Sequence, residues 1–315
     1  MYNAFDKKYS FSILVITYNP IWEKLKLTLD AIIAQSFTDY ELLIVDDGSK
    51  DALEDAINLY MQNRKVKNFL HIKNPVNQGT VKNILSGLEK CKGRYVKCIG
   101  PGDYFADNNS LELVYRYLEE NSLDACWGLV KSYMNISEGE KKFVYRAHPL
   151  DIDAYRKYDV DRIIENLIFY SDSAHGAAMF FKTENWIKYL KVVEGHVKYA
   201  EDLSQILIAL EKEPIRLFDK EIVCYEVGEG ISTAHNSIFR KMLEKDVQNF
   251  YKLLEEMYPN NKYIAKRKRI EHFYIIKNLY LRTICRFFVN PGMILFLGRA
   301  LVQRILHRHC GKYEI

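Results

Sequence analysis

The chain has no Cys-x-x-Cys pair, no internal repeat, no low-complexity linker and no long apolar run free of charge. Each absence removes a class of protein. Six cysteines (91, 98, 126, 224, 285 and 310) stand far apart, mostly among apolar neighbours. That pattern fits reduced thiols, and neither a disulfide frame nor a thiolate zinc site. A helix that spans a bilayer needs about 18 or more apolar residues, and no such run exists. The opening residues, MYNAFDKKYS, lack the apolar stretch of a secretion signal, so a cytoplasmic location is expected. Formal charge is only +4, from 45 Lys and Arg against 41 Asp and Glu. Nucleic acid is therefore not an expected partner.

What remains is the composition of an ordinary globular protein, 48% apolar and 27% charged over 315 residues. Such a length suggests about two domains, or one large domain with an appendage. The charge is uneven. Residues 262–315 hold twelve Lys and Arg but only Glu271 and Glu314 as acids, so a mildly acidic body carries a basic tail. An anionic partner for the tail follows as an expectation.

The first hundred residues alternate between two periodicities. FSILVIT (11–17), ELLIVDD (41–47), NFLHIK (68–73) and RYVKCIG (94–100) are short, β-rich and apolar. Between them lie WEKLKLTLDAIIAQS, DALEDAINLYMQNR (51–64) and GTVKNILSGLEKC (79–91), all with helical spacing. Ser49 is placed to cap the second of these helices. The alternation predicts a doubly wound, mostly parallel α/β sheet, whose ligands bind at the carboxyl ends of the strands. Beyond residue 105 the pattern is irregular. LELVYRYLEE reads as a helix, DACWGLVKSYM as a strand, SAHGAAMFFKTENW as a strand entering a helix, and YAEDLSQILIALEK (199–212) as a helix. EIVCYEV (221–227) is another strand, 136–175 gives no clear reading, and helices are expected at 237–257, 262–288 and 293–309.

One stretch, CIGPGDYF (98–105), ends a strand at Gly-Pro-Gly and presents one acid, Asp103. A tight turn explains the Gly and Pro. A strand-end site explains the acid as well, because Thr17-Tyr18-Asn19 and Asp46-Asp47-Gly48-Ser49 fall at neighbouring strand ends.

The stretches SILVITYNP, YELLIVDDGSKD, NQGTVKNILSGLEKCKGRYVKCIGPGDYF and AEDLSQILIAL resemble, in order and spacing, the inverting nucleotide-sugar glycosyltransferases of family 2, with the fold called GT-A. The likeness extends over roughly 11–212 and points toward bacterial polysaccharide-building members. It implies a catalytic domain over 9–235 that takes a nucleotide-sugar donor, of uridine type, and a glycan or lipid-linked glycan acceptor. A basic helical extension would fill 236–315. It also implies a divalent metal, Mn2+ or Mg2+. Residue by residue, Thr17, Tyr18 and Asn19 match the turn around the nucleotide. Asp47 matches the acid that accepts from the pyrimidine N3–H. Asn77, Gly79, Lys82 and Asn83 match the loop and helix beside the nucleotide, and Asp103 the last acid of the metal-binding DxD-like motif. The acids that usually precede it are replaced by Gly100-Pro101-Gly102.

Sugar transfer needs charge neutralisation at the leaving diphosphate, a base for the acceptor hydroxyl and in-line placement. The resemblance puts Asp202 in the family's ED motif as the base, with Glu201 beside it at the acceptor. Lying at a predicted helix N-terminus, Asp202 would have its pKa held down. His235 is a second candidate for the metal, and His175 a candidate for the acceptor site. Trp127 and Trp186 would suit sugar stacking or a core. A sugar nucleotidyltransferase would want a Gly-rich basic loop after the first strand, where this chain reads TYNPIW. A catalytically silent sugar-nucleotide-binding assembly partner is the other alternative. In 293–309, Ile294, Leu297, Leu301 and Ile305 form an apolar stripe flanked by arginines. That pattern suits either an anionic membrane surface, with the enzyme peripheral on the inner face of the cell membrane, or a helical cap on the domain.

Overall fold

A computed structural model describes residues 8–51, 53–137, 140–144, 148–228 and 237–309. Four strands make a parallel half-sheet: β1 (Tyr9–Thr17), β2 (Tyr40–Asp46), β3 (Phe69–Lys73) and β4 (Gly93–Ile99). Helices α1 (Trp22–Ile33), α2 (Glu54–Asn63) and α3 (Thr80–Leu88) connect them. The order β3-β2-β1-β4 brings all four carboxyl ends to one rim, where sheets of this kind bind ligands.

The second half is mixed. After the two-residue β5 (Tyr104–Phe105) and α4 (Ser110–Glu120) comes β6 (Ala125–Ser137), a 13-residue strand. It pairs with β7 (Glu140–Phe143), β8 (Met179–Lys182) and β9 (Arg216–Glu226). β8 joins the halves antiparallel to β4, which gives the order β3-β2-β1-β4-β8-β6-β9-β5. The stretch that gave no clear reading in sequence contains β7, α5 (Ile152–Arg156) and α6 (Val160–Tyr170). Helices α7 (Thr183–Val193), α8 (Ser204–Leu210), α9 (Ser237–Met257), α10 (Lys262–His272), α11 (Leu279–Val289) and α12 (Gly292–His309) complete the described chain.

Strand side chains alternate between faces, and each face has its own core. Ile13, Val15, Leu42, Ile44 and Tyr95 pack with Leu25, Leu29, Ile57, Met61, Leu111 and Val114 of α1, α2 and α4. Leu14, Leu43, Val45 and Val96 face a larger core built by α3 and α6 to α10. Phe250 and Leu254 of α9 and Tyr263 of α10 belong to that core, so these helices share the sheet's hydrophobic interior. Trp127 is fully buried and meets Tyr155 edge-on, while Trp186 stacks on Phe181 with ring centroids 4.8 Å apart.

Two expectations need correction. The stretch 262–288 is not one helix: α10 stops at His272 and a 3-10 turn, Phe273–Ile275, intervenes before α11. Ser49 does not cap α2. That helix follows Leu53, which has φ +55° and makes no side-chain cap. Ser49 instead donates its hydroxyl and its amide to the buried Asp46 and accepts the Asn19 amide at 2.6 Å. The serine serves the strand-end loops.

Candidate functional site

A cavity of about 1080 Å³ opens over the carboxyl ends of the parallel strands. Its size lies at the upper end of the roughly 300–1,000 Å³ usual for small-molecule sites. Thr17, Tyr18, Asn19 and Asp47 line it from β1 and β2, with Asn77, Gly79 and Asn83 from the loop and helix that follow β3. Asp103 lines it from the turn after β4, and His175, Glu201 and Asp202 from the segments before β8 and α8. Lys82 is exposed and is not part of this wall. His235 lies outside the described residues.

The loops at the ends of β1, β2 and β3 are held by buried carboxylates. Asp46 receives Thr17, while the two carboxylate oxygens of Asp47 accept the amides of Gln78 and Gly79 at 2.9 and 2.8 Å. Gly79 has φ +93°, and a Cβ there would overlap Lys198. Only glycine allows both that backbone angle and that approach. Asn83 is buried, donating to the Val45 carbonyl and accepting from Asn74. It braces β2 against α3.

Both explanations of Gly-Pro-Gly hold together. The Asp103 amide donates to the Gly100 carbonyl at 3.1 Å, with Pro101 and then Gly102 at φ +100° between them. Pro followed by a positive φ is the signature of a type II turn. Gly102 is further fixed by Thr28, which accepts its amide, and by Tyr133, which donates to its carbonyl. A Cβ on Gly102 would overlap Glu226 Oε2, whereas one on Gly100 would meet nothing closer than Asp103 Oδ2 at 3.9 Å. Of the two glycines, only Gly102 is required by the geometry.

The turn delivers Asp103 to a small charged cluster. Its Oδ1 accepts the Glu226 amide at 3.0 Å, and Glu226 Oε1 accepts Lys24 Nζ at 2.8 Å and Asn135 Nδ2 at 2.5 Å. Burial pushes Asp103 up to about 7, against the pull of the Glu226 amide and the Lys97 charge. Asp103 Oδ2 accepts no hydrogen bond among the described residues, and no group of three His, Cys, Asp or Glu there could hold a metal by itself. Mg2+ commonly binds one or two carboxylates and completes its shell with water and substrate phosphates. Asp103 Oδ2 fits such a site.

Glu201 and Asp202 lie in a 3-10 turn, Glu201–Leu203, and α8 begins only at Ser204. The expectation that a helix N-terminus holds Asp202 down is therefore corrected: burial pushes both carboxyls above the usual range, and Asp202's charge adds to the effect on Glu201. Their segment is fixed from two sides. Asp246 of α9 accepts the amides of Lys198, Tyr199 and Ala200. Gln205 bonds the Asp202 carbonyl and the amide of Ala174. His175 opens the adjacent 3-10 turn, Gly176–Ala178, by accepting the Ala177 amide, and its ring lies edge-on to Tyr225 at 4.2 Å.

Lys24, Glu226, Asp246 and Lys97 were not singled out from sequence. Lys97 is fully buried on β4, its ammonium 5.3 Å from the centre of the Phe180 ring. It donates to the Cys98 carbonyl and, at 2.6 Å, to the Ala177 carbonyl. One ammonium thus ties the end of β4 to the turn beside the acids. Burial lowers its pKa to about 8, opposed by the Asp103 and Glu201 carboxylates. A lone Lys in an apolar strand just before GPGD was the signal available. Glu226 also ends an apolar strand, but no Gly-Pro turn marks it.

Comparison with known proteins bears on the site as a whole. Residues 12–182 match the description Glycosyl transferase family 2. The poly(ribitol-phosphate) beta-N-acetylglucosaminyltransferase TarP of Staphylococcus aureus is 31% identical over 186 residues, covering 56% of this chain and 51% of that protein. A poly(ribitol-phosphate) beta-glucosyltransferase of Bacillus spizizenii is 27% identical over 256 residues, covering 78% of this chain and 36% of its own length. The uncharacterized glycosyltransferase MG025 homolog of Mycoplasma pneumoniae is matched over 34% of its length, and GlyG of Streptococcus pneumoniae over 42%. The chain thus spans about half or less of the length of these relatives. Among solved structures, S. aureus TarS 1-349 in complex with UDP-GlcNAc superposes with a TM-score of 0.51 at 19% identity, over 91% of this chain and 81% of that one. The mannosyltransferase PcManGT of Pyrobaculum calidifontis, in complex with GDP-Man and Mn2+, gives 0.51 at 15%, over 95% and 88%. These likenesses establish a GT-A-type fold. With the family description matched over more than half of its length, the chain belongs to glycosyl transferase family 2.

Proposed function

We propose that the chain transfers a sugar, with inversion, from a uridine diphosphate sugar to a hydroxyl of a glycan or lipid-linked glycan. The observation that carries this reading is the placement of Asp103 and Asp202 on one cavity at the strand ends. In the reaction, Asp202 takes the proton of the acceptor hydroxyl as its oxygen attacks the anomeric carbon. The bond to the diphosphate oxygen breaks on the opposite face. Burial raises the proton affinity of Asp202, which suits a general base better than an ordinary aspartate would. Asp47 and the Thr17-Tyr18-Asn19 turn receive the nucleoside, and Glu201 and His175 face the acceptor. A Mg2+ or Mn2+ ion held by Asp103 and the donor's phosphates would act as a Lewis acid on the leaving diphosphate.

Support for the uridine donor and the polymer acceptor comes from relatives: TarP is named for a poly(ribitol-phosphate) acceptor, and TarS holds UDP-GlcNAc. The test is a screen of UDP-, dTDP- and GDP-sugars by thermal shift and donor hydrolysis, with and without Mn2+. UDP-sugars should raise the melting temperature and be hydrolysed. Response to GDP-sugars alone would remove Asp47 from the pyrimidine. Binding without turnover on any acceptor would turn the reading to a sugar-nucleotide-binding assembly partner.

A further inference from the structure

Helices α11 and α12 meet at 108° across Asn290-Pro291, and among the described residues no single helix is long and apolar enough to cross a membrane. One side of α12 is docked. Met293, Phe296 and Ala300 are buried, and Phe296 stacks on Tyr170 at 4.1 Å. Asn290 donates to the Tyr170 hydroxyl and Arg299 to Asp151. The other side is apolar too. Ile294, Leu295, Leu297, Leu301, Val302 and Ile305 are 46–63% exposed. On α11, Tyr280 and Phe288 are 82% and 85% exposed, with Leu281 and Ile284 between them. A soluble helix normally turns a polar face to water; one apolar all round is covered by something.

We infer that this helix pair lies on an anionic lipid surface, its outer apolar side chains sunk to the headgroup boundary. Charge selects the occupant. Residues 272–309 contain no Asp or Glu but six Lys and Arg, of which Arg299 is paired with Asp151. Arg269, in the last turn of α10, and Lys277, just before α11, are exposed, and α10 packs against α11. Two copies of this segment pressed together would set like charges against each other, whereas an anionic leaflet neutralises them. Tyr280 and Phe288, projecting from a short helix, have the character of interfacial anchors.

Co-sedimentation with phosphatidylcholine vesicles, with and without phosphatidylglycerol, tests the inference on the full chain. Pelleting should require the anionic lipid and weaken with salt. The double substitution Phe288→Asp, Leu297→Asp should cut the bound fraction by about tenfold or more, and Arg269→Glu with Lys277→Glu should weaken it without altering the melting temperature. Absence of pelleting, or pelleting indifferent to these changes, would overturn the inference. So would a concentration-dependent dimer in sedimentation velocity that the same apolar substitutions abolish, since a second copy would then cover the face.

Discussion

Asp246, on α9, accepts the amide of Ala200 at 3.1 Å, one residue before the Glu201-Asp202 pair. The same carboxylate takes the amides of Lys198 and Tyr199. A helix beyond the family-matched region therefore positions the Glu201-Asp202 pair. Asp246→Ala should lower turnover by about tenfold or more through loss of placement, with a stability loss of about 1–3 kcal/mol from unmet amides. Asp246→Asn keeps one acceptor and should recover part of both. Steady-state kinetics with thermal denaturation checks this; an unchanged kcat would detach α9 from the site.

The paired acids fix the sign of the pH response. A general base works deprotonated, so a raised pKa moves the acidic limb of the kcat profile upward. Burial raises both Asp202 and Glu201, so the limb should lie well above the ordinary aspartate range. The apparent value belongs to the pair. The Asp202 charge keeps Glu201 protonated where Asp202 titrates, so replacing Glu201 by neutral Gln should leave the limb in place. A limb near the usual carboxylate value, or one that Glu201→Gln moves, would count against this electrostatic account.

Lys97 gives a stability prediction with a definite sign. Its folded pKa, about 8, lies below the ordinary lysine value of 10.5. For a base shifted down, the unfolded chain binds the proton more tightly, so stability is penalised below the folded pKa and recovers as pH rises toward the unfolded one. The unfolding free energy of the wild type relative to Lys97→Met should therefore rise by about 2 kcal/mol between pH 8 and 10. Denaturant titrations of both proteins at the two pH values measure it. A difference independent of pH would mean that the buried amine does not titrate in this window.

The parallel half of the fold was legible because each strand is an uninterrupted apolar run with a helix of clear period behind it. The 41–47 and 94–100 runs match β2 and β4 to within a residue. The stretch 136–175 was opaque because β7 and α5 are short, and α5 and α6 take their partners from β9, α8 and α10, far along the chain. Asp103 could be picked out because Gly102 and Pro101 make a visible local turn. Glu226 could not, since its role arises from a pairing 123 residues away with Asp103. Asp246 left no mark at all: in sequence it is one acid among several on an amphipathic helix. Ser49 misled for a similar reason. A serine ahead of a helix resembles a cap, and only the neighbouring Asp46 and Asn19 reveal that it is spent elsewhere.

The central claim is that Asp202 takes the acceptor's proton across the cleft from Asp103, and one substitution tests it most directly. Turnover of Asp202→Asn should be measured on whichever donor the screen identifies, alongside donor affinity by calorimetry. The account predicts kcat reduced by about 10²–10⁴-fold with donor binding within a few-fold of wild type. Full turnover in the variant would contradict it.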